Sequence, residues 1–192
     1  MTILGTSRPG NFTGKALALV IDELNRQPRA KVTSIDPAGL TLPFPGQPGD
    51  YPDQQMLQSA VKDATGVILA TPEYHGGFAS VMKLLIENLG FPSLLAGKPV
   101  ALLGVAAGQI GAIKSLEQLR SVCSHVGAIV LLWPVSVAGV QRVFDAEGRC
   151  LDEGVEKRVR GVATGLLDYV HGSVCPRIAL DQMVRAKPEK VS

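Results

Sequence analysis

The sequence predicts an α/β fold, a doubly wound five-stranded parallel sheet in the order 2-1-3-4-5 with helices on both faces. Apolar runs rich in Val, Ile and Leu alternate with longer segments of helical period, as in a parallel sheet covered on both sides. Three of these runs end in glycine-containing loops, and open sheets of this class bind ligands at such loops. The length of 192 residues and the hydrophobic content of 46% support a single core.

The first strand–helix unit contains a polar loop between a predicted strand, residues 1–5, and a predicted helix, residues 13–27. Residues 5–14 supply hydroxyls, an amide and an arginine at the start of that helix. Backbone N–H groups and the helix dipole are positive there, and Arg8 adds a full charge, so a phosphate would fit. The glycine spacing matches neither a P-loop nor the dinucleotide fingerprint, which disfavours ATP and a Rossmann-bound nicotinamide as the tightly held ligand.

The second unit is a predicted strand over residues 30–36, a long loop and a predicted helix over residues 53–64. The loop, residues 39–51, contains three prolines. Loops of this length are usually functional, so we expect it to cover one rim of the site.

The third unit provides a second ligand loop, residues 71–77, between a strand over residues 66–71 and a helix over residues 79–90. Pro72 lacks an N–H group and is expected to end the strand. The two glycines that close the loop allow backbone to approach a flat ligand closely.

The fourth unit provides the third loop, residues 104–112, between a strand over residues 99–105 and a helix over residues 112–126. Nearly all of its side chains are small. Its contribution to a ligand is therefore expected to come from backbone amides.

The fifth unit is a predicted strand over residues 128–135 and a predicted helix over residues 152–171. The domain is therefore expected to span residues 1–171. Beyond it the helical pattern is lost, apart from a short amphipathic piece at residues 178–186. We expect residues 172–192 to be a C-terminal tail that is loosely ordered or packs as an arm on a neighbouring subunit.

Charge and composition exclude several classes of function. The net charge of +2 is too small for nucleic-acid binding by charge alone. No apolar run is long enough to span a membrane and no apolar N-terminal region resembles a secretion signal, so we expect a cytoplasmic protein. Cys123, Cys150 and Cys175 are widely spaced and lack accompanying histidines, which disfavours a disulfide framework or a metal site.

Three motifs of this chain are also found together in one enzyme family. Residues 5–13 are similar to that family's phosphate loop, with its glycine and arginine retained. Residues 71–75, Thr-Pro-Glu-Tyr-His, are similar to its Thr-Pro-Glu-Tyr-Asn signature, and residues 97–100, Gly-Lys-Pro-Val, to the strand that borders its flavin. On these motifs the chain resembles, over about residues 1–170, the NADPH-dependent FMN reductases, a flavodoxin-like group that includes quinone, azo-dye and chromate reductases.

The resemblance implies a flavodoxin-like fold, FMN as cofactor, NADPH or NADH as co-substrate and a small-molecule electron acceptor. Hydride would pass to the flavin and then to a quinone, azo compound, metal oxyanion or free flavin, so no acid, base or nucleophile is assigned. By analogy we expect a homodimer or homotetramer, with residues 78–95 as a candidate interface. The residues expected to bind FMN are Thr6, Arg8, Asn11, Phe12, Thr13, Pro72, Glu73, Tyr74, His75, Gly76, Val105, Ala106 and Gly108.

The residue types of the candidate FMN-binding residues indicate different roles for them. Arg8 is the first candidate for the phosphate. Tyr74 could pack against the flavin or serve as a lid on the core, and His75 could touch the ring or cap the following helix. Glu73 is expected to hold its loop by accepting backbone hydrogen bonds.

Two other functions remain open from the sequence. A flavodoxin-type one-electron carrier would share the fold, but such carriers look strongly acidic, whereas this chain has a pI near 8.5. A flavin-bound sensor is the second alternative, and only the tail favours it.

Overall fold

The computed structural model describes residues 1–185 and has a parallel sheet between two layers of helices. The strands are β1 (Thr2–Leu4), β2 (Ser34–Ile35), β3 (Val67–Tyr74), β4 (Gly77–Phe78), β5 (Pro99–Val105), β6 (Ile129–Val130) and β7 (Val135–Val137). The helices are α1 (Phe12–Asn25), α2 (Pro52–Asp63), α3 (Ser80–Glu87), α4 (Ile113–His125), α5 (Glu153–Tyr169) and α6 (Cys175–Arg185). No helix within this range is long and apolar enough to cross a membrane.

The strand order confirms the doubly wound topology. β2, β1, β3 and β5 are parallel neighbours, and β6 and β7 both pair with β5, so together they take the fifth place of the order 2-1-3-4-5. The prediction of one fifth strand over residues 128–135 was wrong, because the strand is interrupted. Trp133 has a φ of +67° there, and Pro134 has no N–H group for a ladder.

Two apolar clusters lie on the two faces of the sheet. One is formed with α1 and α5, whose inward side chains include Val20 and Val159. The other is formed with α2, α3 and α4, represented by Leu57, Leu85 and Leu119. All five side chains are buried, as the helical periodicity predicts.

The expectation that Pro72 ends its strand was wrong, because β3 continues to Tyr74. Pro72 pairs with Val105 of β5, so the ladder on that side extends beyond it. The N–H of Ile68 donates to the carbonyl of Met1, and the carbonyl of Ala70 accepts from the N–H of Gly5, so the backbone groups of both residues point towards β1. Because this direction alternates along a strand, an N–H at position 72 would point the same way. Because β1 ends at Leu4, no partner is present for an N–H at this position, and proline is tolerated.

The C-terminal segment also differs from expectation. The helix does not end near residue 171: α5 continues through a π-helical turn, Val170–Val174, into α6. Local helical propensity and the apolar spacing of α6 outweigh Gly172 and Pro176. The end of the amphipathic piece predicted for residues 178–186, and the charged residues that follow it in the 172–192 tail, lie outside the described residues.

Candidate functional site

The three predicted loops all leave the same edge of the sheet. β1, β3 and β5 are adjacent and parallel, so the segments that follow their carboxyl ends are neighbours in space. A direct contact joins two of them, since Cζ of Arg8 lies 5.3 Å from the centroid of the Tyr74 ring. The first and second loops therefore form one surface.

Asn11 builds the first loop by capping α1. Its Oδ1 accepts from the N–H of Gly14 at 2.6 Å, and its Nδ2 donates to the carbonyl of Arg8 at 2.7 Å. The Oγ1 of buried Thr6 accepts from the N–H of Arg8 at 3.3 Å. These bonds turn the chain so that the Arg8 side chain faces solvent beside the helix terminus.

The donors of this terminus remain available. The N–H groups of Phe12 and Thr13, and the guanidinium of Arg8, have no hydrogen-bond or ion-pair partner among residues 1–185. The Thr13 side chain is buried, and Phe12 packs on the core with Lys15 Nζ 5.0 Å from its ring centroid. Both residues thus offer backbone donors, and the set suits an anion.

Gly5 has a packing role. A Cβ at this position would lie 2.7 Å from Cε of Met82 and 2.8 Å from the carbonyl oxygen of Ala70. Only glycine lets β1 pass this close to β3 and α3.

The second loop is a β-hairpin, because β3 pairs antiparallel with β4. His75 and Gly76 form its turn with φ values of +52° and +75°. Turns of type I′ require positive φ at both central residues, and Asn-Gly is their preferred pair. Conformation thus accounts for an asparagine at the position of His75 in the family signature, without any contact to a ligand.

The hairpin is fastened to the first turns of α4. Oε2 of Glu73 accepts from the N–H of Ser115 at 3.1 Å, and Nε2 of Gln118 donates to the carbonyl of Gly76 at 3.0 Å. A Cβ on Gly77 would meet Oε1 of Gln118 at 2.9 Å, so a larger residue there would displace this side chain. Glu73 holds the loop through a backbone bond and also places a carboxylate at a helix N-terminus.

The third loop presents its backbone outward. The side chain of Val105 is buried in the core and Ala106 is nearly so, whereas residues 107–110 are exposed. A Cβ on Gly108 would meet no atom within 4 Å. The N–H groups of residues 107–109 donate to no described residue, so they are free for a ligand.

Residues 136–139, which the sequence analysis did not assign to the site, hold the third loop in place by hydrogen bonds. The N–H of Gly139 donates to the carbonyl of Gly108 at 3.1 Å, and Oγ of Ser136 accepts from the N–H of Ala112 at 2.8 Å. Ser115 and Gln118 were missed in the same way. The partners of all these residues are more than twenty residues away in the chain, so no local pattern predicts the contacts. The one local signal is the glycine at position 139, which permits the positive φ observed there.

Residues at the tips of the three loops are exposed, and two cavities of the structure lie elsewhere. One, of about 860 Å³, lies between α3 and α4, and the other, of about 380 Å³, lies between α5 and the β6 edge of the sheet. The three loops line neither cavity. A ligand held at the loops would keep one side accessible.

Comparison with known proteins gives a consistent result. Residues 1–141 match the family model described as NADPH-dependent FMN reductase. The chain is 28% identical over 169 residues to NAD(P)H-dependent FMN reductase PA1204 of Pseudomonas aeruginosa, covering 82% of this chain and 87% of the relative. It is 26% identical over 180 residues to the quinone reductase of Escherichia coli strain K12, covering 88% and 94%. Among solved structures, the NAD(P)H:(acceptor) oxidoreductase FerB from Paracoccus denitrificans has a TM-score of 0.73 at 20% identity, covering 89% and 96%, which supports the fold.

Proposed function

We propose that this protein passes hydride from the nicotinamide through FMN to a quinone-type acceptor. The chain belongs to the NADPH-dependent FMN reductase family, an oxidoreductase family with FMN as cofactor and NAD(P)H as co-substrate. The observation that carries the proposal is the convergence of three loops with free donors at one edge of the sheet. Unpaired Arg8 at one end suits a phosphate, and the open backbone at Gly108 suits the edge of a flat ring.

The proposed FMN contacts fall into two groups. Thr6, Arg8, Asn11, Phe12 and Thr13 form the phosphate end, through the guanidinium, backbone N–H groups and the fold of the loop. The ring end is formed by Pro72, Glu73, Tyr74, His75, Gly76, Val105, Ala106 and Gly108, with backbone at the buried positions. Bound FMN supplies the hydride-carrying chemistry, and the protein supplies orientation and charge, so no side chain is needed as acid or base.

A quinone is favoured as acceptor by the apolar side chains exposed at the site's rim. Ile110 and Ile113 flank the third loop with 77% and 48% of their surface exposed, and Tyr74 is exposed on the hairpin. A flat apolar acceptor can pack on such side chains, whereas a metal oxyanion gains nothing from them. The similarity to a quinone reductase over 88% of the chain supports the same choice.

Binding of FMN is tested by titrating the flavin-free protein with FMN and with FAD. Arg8→Ala should weaken FMN binding by about 1.5–3 kcal/mol, or roughly 13- to 160-fold, the range for a hydrogen bond to a charged group. Arg29→Ala is the matched control, since this exposed arginine precedes β2 at the opposite edge of the sheet. An unchanged affinity of the Arg8 variant would remove Arg8 from the site.

The reaction is tested by anaerobic mixing with NADPH or NADH. One equivalent should bleach the bound flavin completely, and a benzoquinone should restore its colour faster than an azo dye, chromate or free FMN. Negligible oxidation of both nicotinamides would favour the one-electron carrier. Faster reoxidation by chromate would overturn the choice of acceptor.

We also propose that the protein is a homodimer or homotetramer that uses residues 78–95. The cavity between α3 and α4 is mostly apolar, and Phe91 on its rim is fully exposed. An exposed aromatic beside an apolar groove is typical of an interface anchor. Sedimentation of Phe91→Glu should show a smaller assembly than the wild type, and an unchanged assembly would exclude this face.

A further inference from the structure

The C-terminal helix α6 projects from the domain as a continuation of α5. Segments of 17, 5 and 11 residues form one helical backbone from Glu153 to Arg185, about 50 Å long at 1.5 Å per residue. The first segment and Val170 at the start of the second pack on the core. Every residue of α6 is exposed.

One side of α6 is apolar. At 100° per residue, a half-circumference of the helix is formed by Cys175, Pro176, Ala179, Leu180, Met183 and Val184. Arg177, Asp181 and Arg185 lie on the other half, where Ile178 is the apolar exception. Exposed apolar side chains on a regular helical stripe indicate a surface that another element covers.

A groove that could receive such a helix runs along α5. Gly161 and Gly165, one turn apart and both exposed, form part of its α5 wall, and a Cβ on either would meet nothing within 4 Å. The other wall is residues 129–133 at the sheet edge, where Leu132 and Trp133 are 75% and 87% exposed. The groove is apolar and has a volume of about 380 Å³.

The α6 helix cannot fill the groove of its own molecule. The backbone at Tyr169, Val170 and Cys175 has right-handed helical φ and ψ, so α6 leads away from α5 instead of folding back along it. Among residues 1–185, nothing covers the apolar side of α6, so a second molecule is the occupant that we consider.

We propose that α6 docks in the α5 groove of a second copy of this chain, with the two long helices antiparallel about a twofold axis near Gly172. This register places Ala179 opposite Gly165 and Met183 opposite Gly161, so that larger side chains face glycines. It also brings exposed Arg177 of α6 close to exposed Asp168 of α5, a pair of opposite charge. Because each molecule places its α6 in the groove of the other, a single twofold contact fills both grooves.

The area is sufficient for a specific contact. Half of the surface of an 11-residue helix, about 16 Å long and 10 Å wide, is roughly 260 Å². Two such helices, each covering an equal area of groove, bury about 1,000 Å², the area that a biological interface is expected to reach.

The test is sedimentation and light scattering of the full chain carrying Leu180→Glu or Gly165→Leu. Each variant should halve the number of subunits in the wild-type assembly, or weaken its association at least tenfold, while leaving the protein folded and its bound flavin unchanged. Ile178→Glu is the matched control, since it adds the same charge to the same helix on its polar side, and it should assemble as the wild type does. Leu180 is 61% exposed and belongs to neither core cluster, so Leu180→Glu is not expected to unfold the monomer.

Three outcomes would overturn the proposal. They are a wild type that is monomeric at about 100 μM, a Leu180→Glu variant that assembles as the wild type does, and an Ile178→Glu variant that loses assembly equally. Loss of binding to lipid vesicles by Leu180→Glu with an unchanged subunit number would assign α6 to a membrane surface instead. None of these results depends on catalysis, so they leave the proposed reaction untouched.

Discussion

Glu73→Ala should destabilise the protein by about 1.5 kcal/mol, because the Glu73 carboxylate fastens the hairpin to α4. A hydrogen bond to a charged group is worth about 1.5–3 kcal/mol, and a carboxylate at a helix N-terminus adds about 0.3–1 kcal/mol. The side chain is half-buried, which places the effect at the lower end of these ranges. For a chain of this length, that loss lowers the melting temperature by about 3–6 °C.

Urea and thermal unfolding of the variant measure the effect. Glu73→Gln should lose about half as much, since its carbonyl oxygen can still accept from the N–H of Ser115 without the charge. Glu117→Ala is the control, because this exposed carboxylate lies on the same helix, about half a turn beyond Ser115. If Glu73→Ala melts within about 1 °C of the wild type, the bond to Ser115 does not hold the hairpin.

Three further predictions concern single positions. Gly108→Val should change the free energy of unfolding by less than about 0.5 kcal/mol, since a Cβ at this position meets no atom within 4 Å. It should nevertheless abolish FMN uptake measured by fluorescence, because the backbone could no longer approach the flavin, and normal uptake would place the loop outside the site. His75→Asn should raise the melting temperature by about 1–2 °C, because asparagine tolerates positive φ better, and a decrease would contradict the turn assignment. A thiol reagent should modify half-buried Cys150 in the native protein but Cys123 only on unfolding, because burial raises the pKa of the Cys123 thiol to about 12. Reaction of Cys123 as fast as Cys150 in the native protein would refute that order.

Local pattern was sufficient for the elements and their order. The predicted helix over residues 112–126 and the observed Ile113–His125 differ by one residue at each end, because apolar periodicity and the flanking glycines are properties of the segment itself. The extension of β3 past Pro72 was not predictable in this way. Whether a strand needs a particular N–H group depends on where its neighbour ends, and β1 is encoded far away in the chain.

The candidate site also has features that local sequence predicts and features that depend on distant parts of the chain. The three loops could be placed at one sheet edge from topology alone, since parallel neighbours end on the same side. The bonds that fix their shape join Glu73 to Ser115 and Gly108 to Gly139, pairs whose separations in the chain carry no sequence pattern. Residue type indicated the chemistry of the site, and tertiary contacts determine its rigidity.

The position of β1 between β2 and β3 has a consequence for how the chain is made. Thr2 pairs with Ile68, and the amino group of Met1 donates to the carbonyl of Gly66, 65 residues later. At a synthesis rate of about 5–20 residues per second, β1 waits roughly 3–13 s on the ribosome before β3, the second of its two partners, begins to be polymerised. During that interval α1 can form by itself, but the middle of the sheet cannot. The strand that leads into the first loop is therefore made well before β3 and docks on it late, so slow elongation before Ile68 prolongs exposure of the apolar side chains of β1 to chaperones.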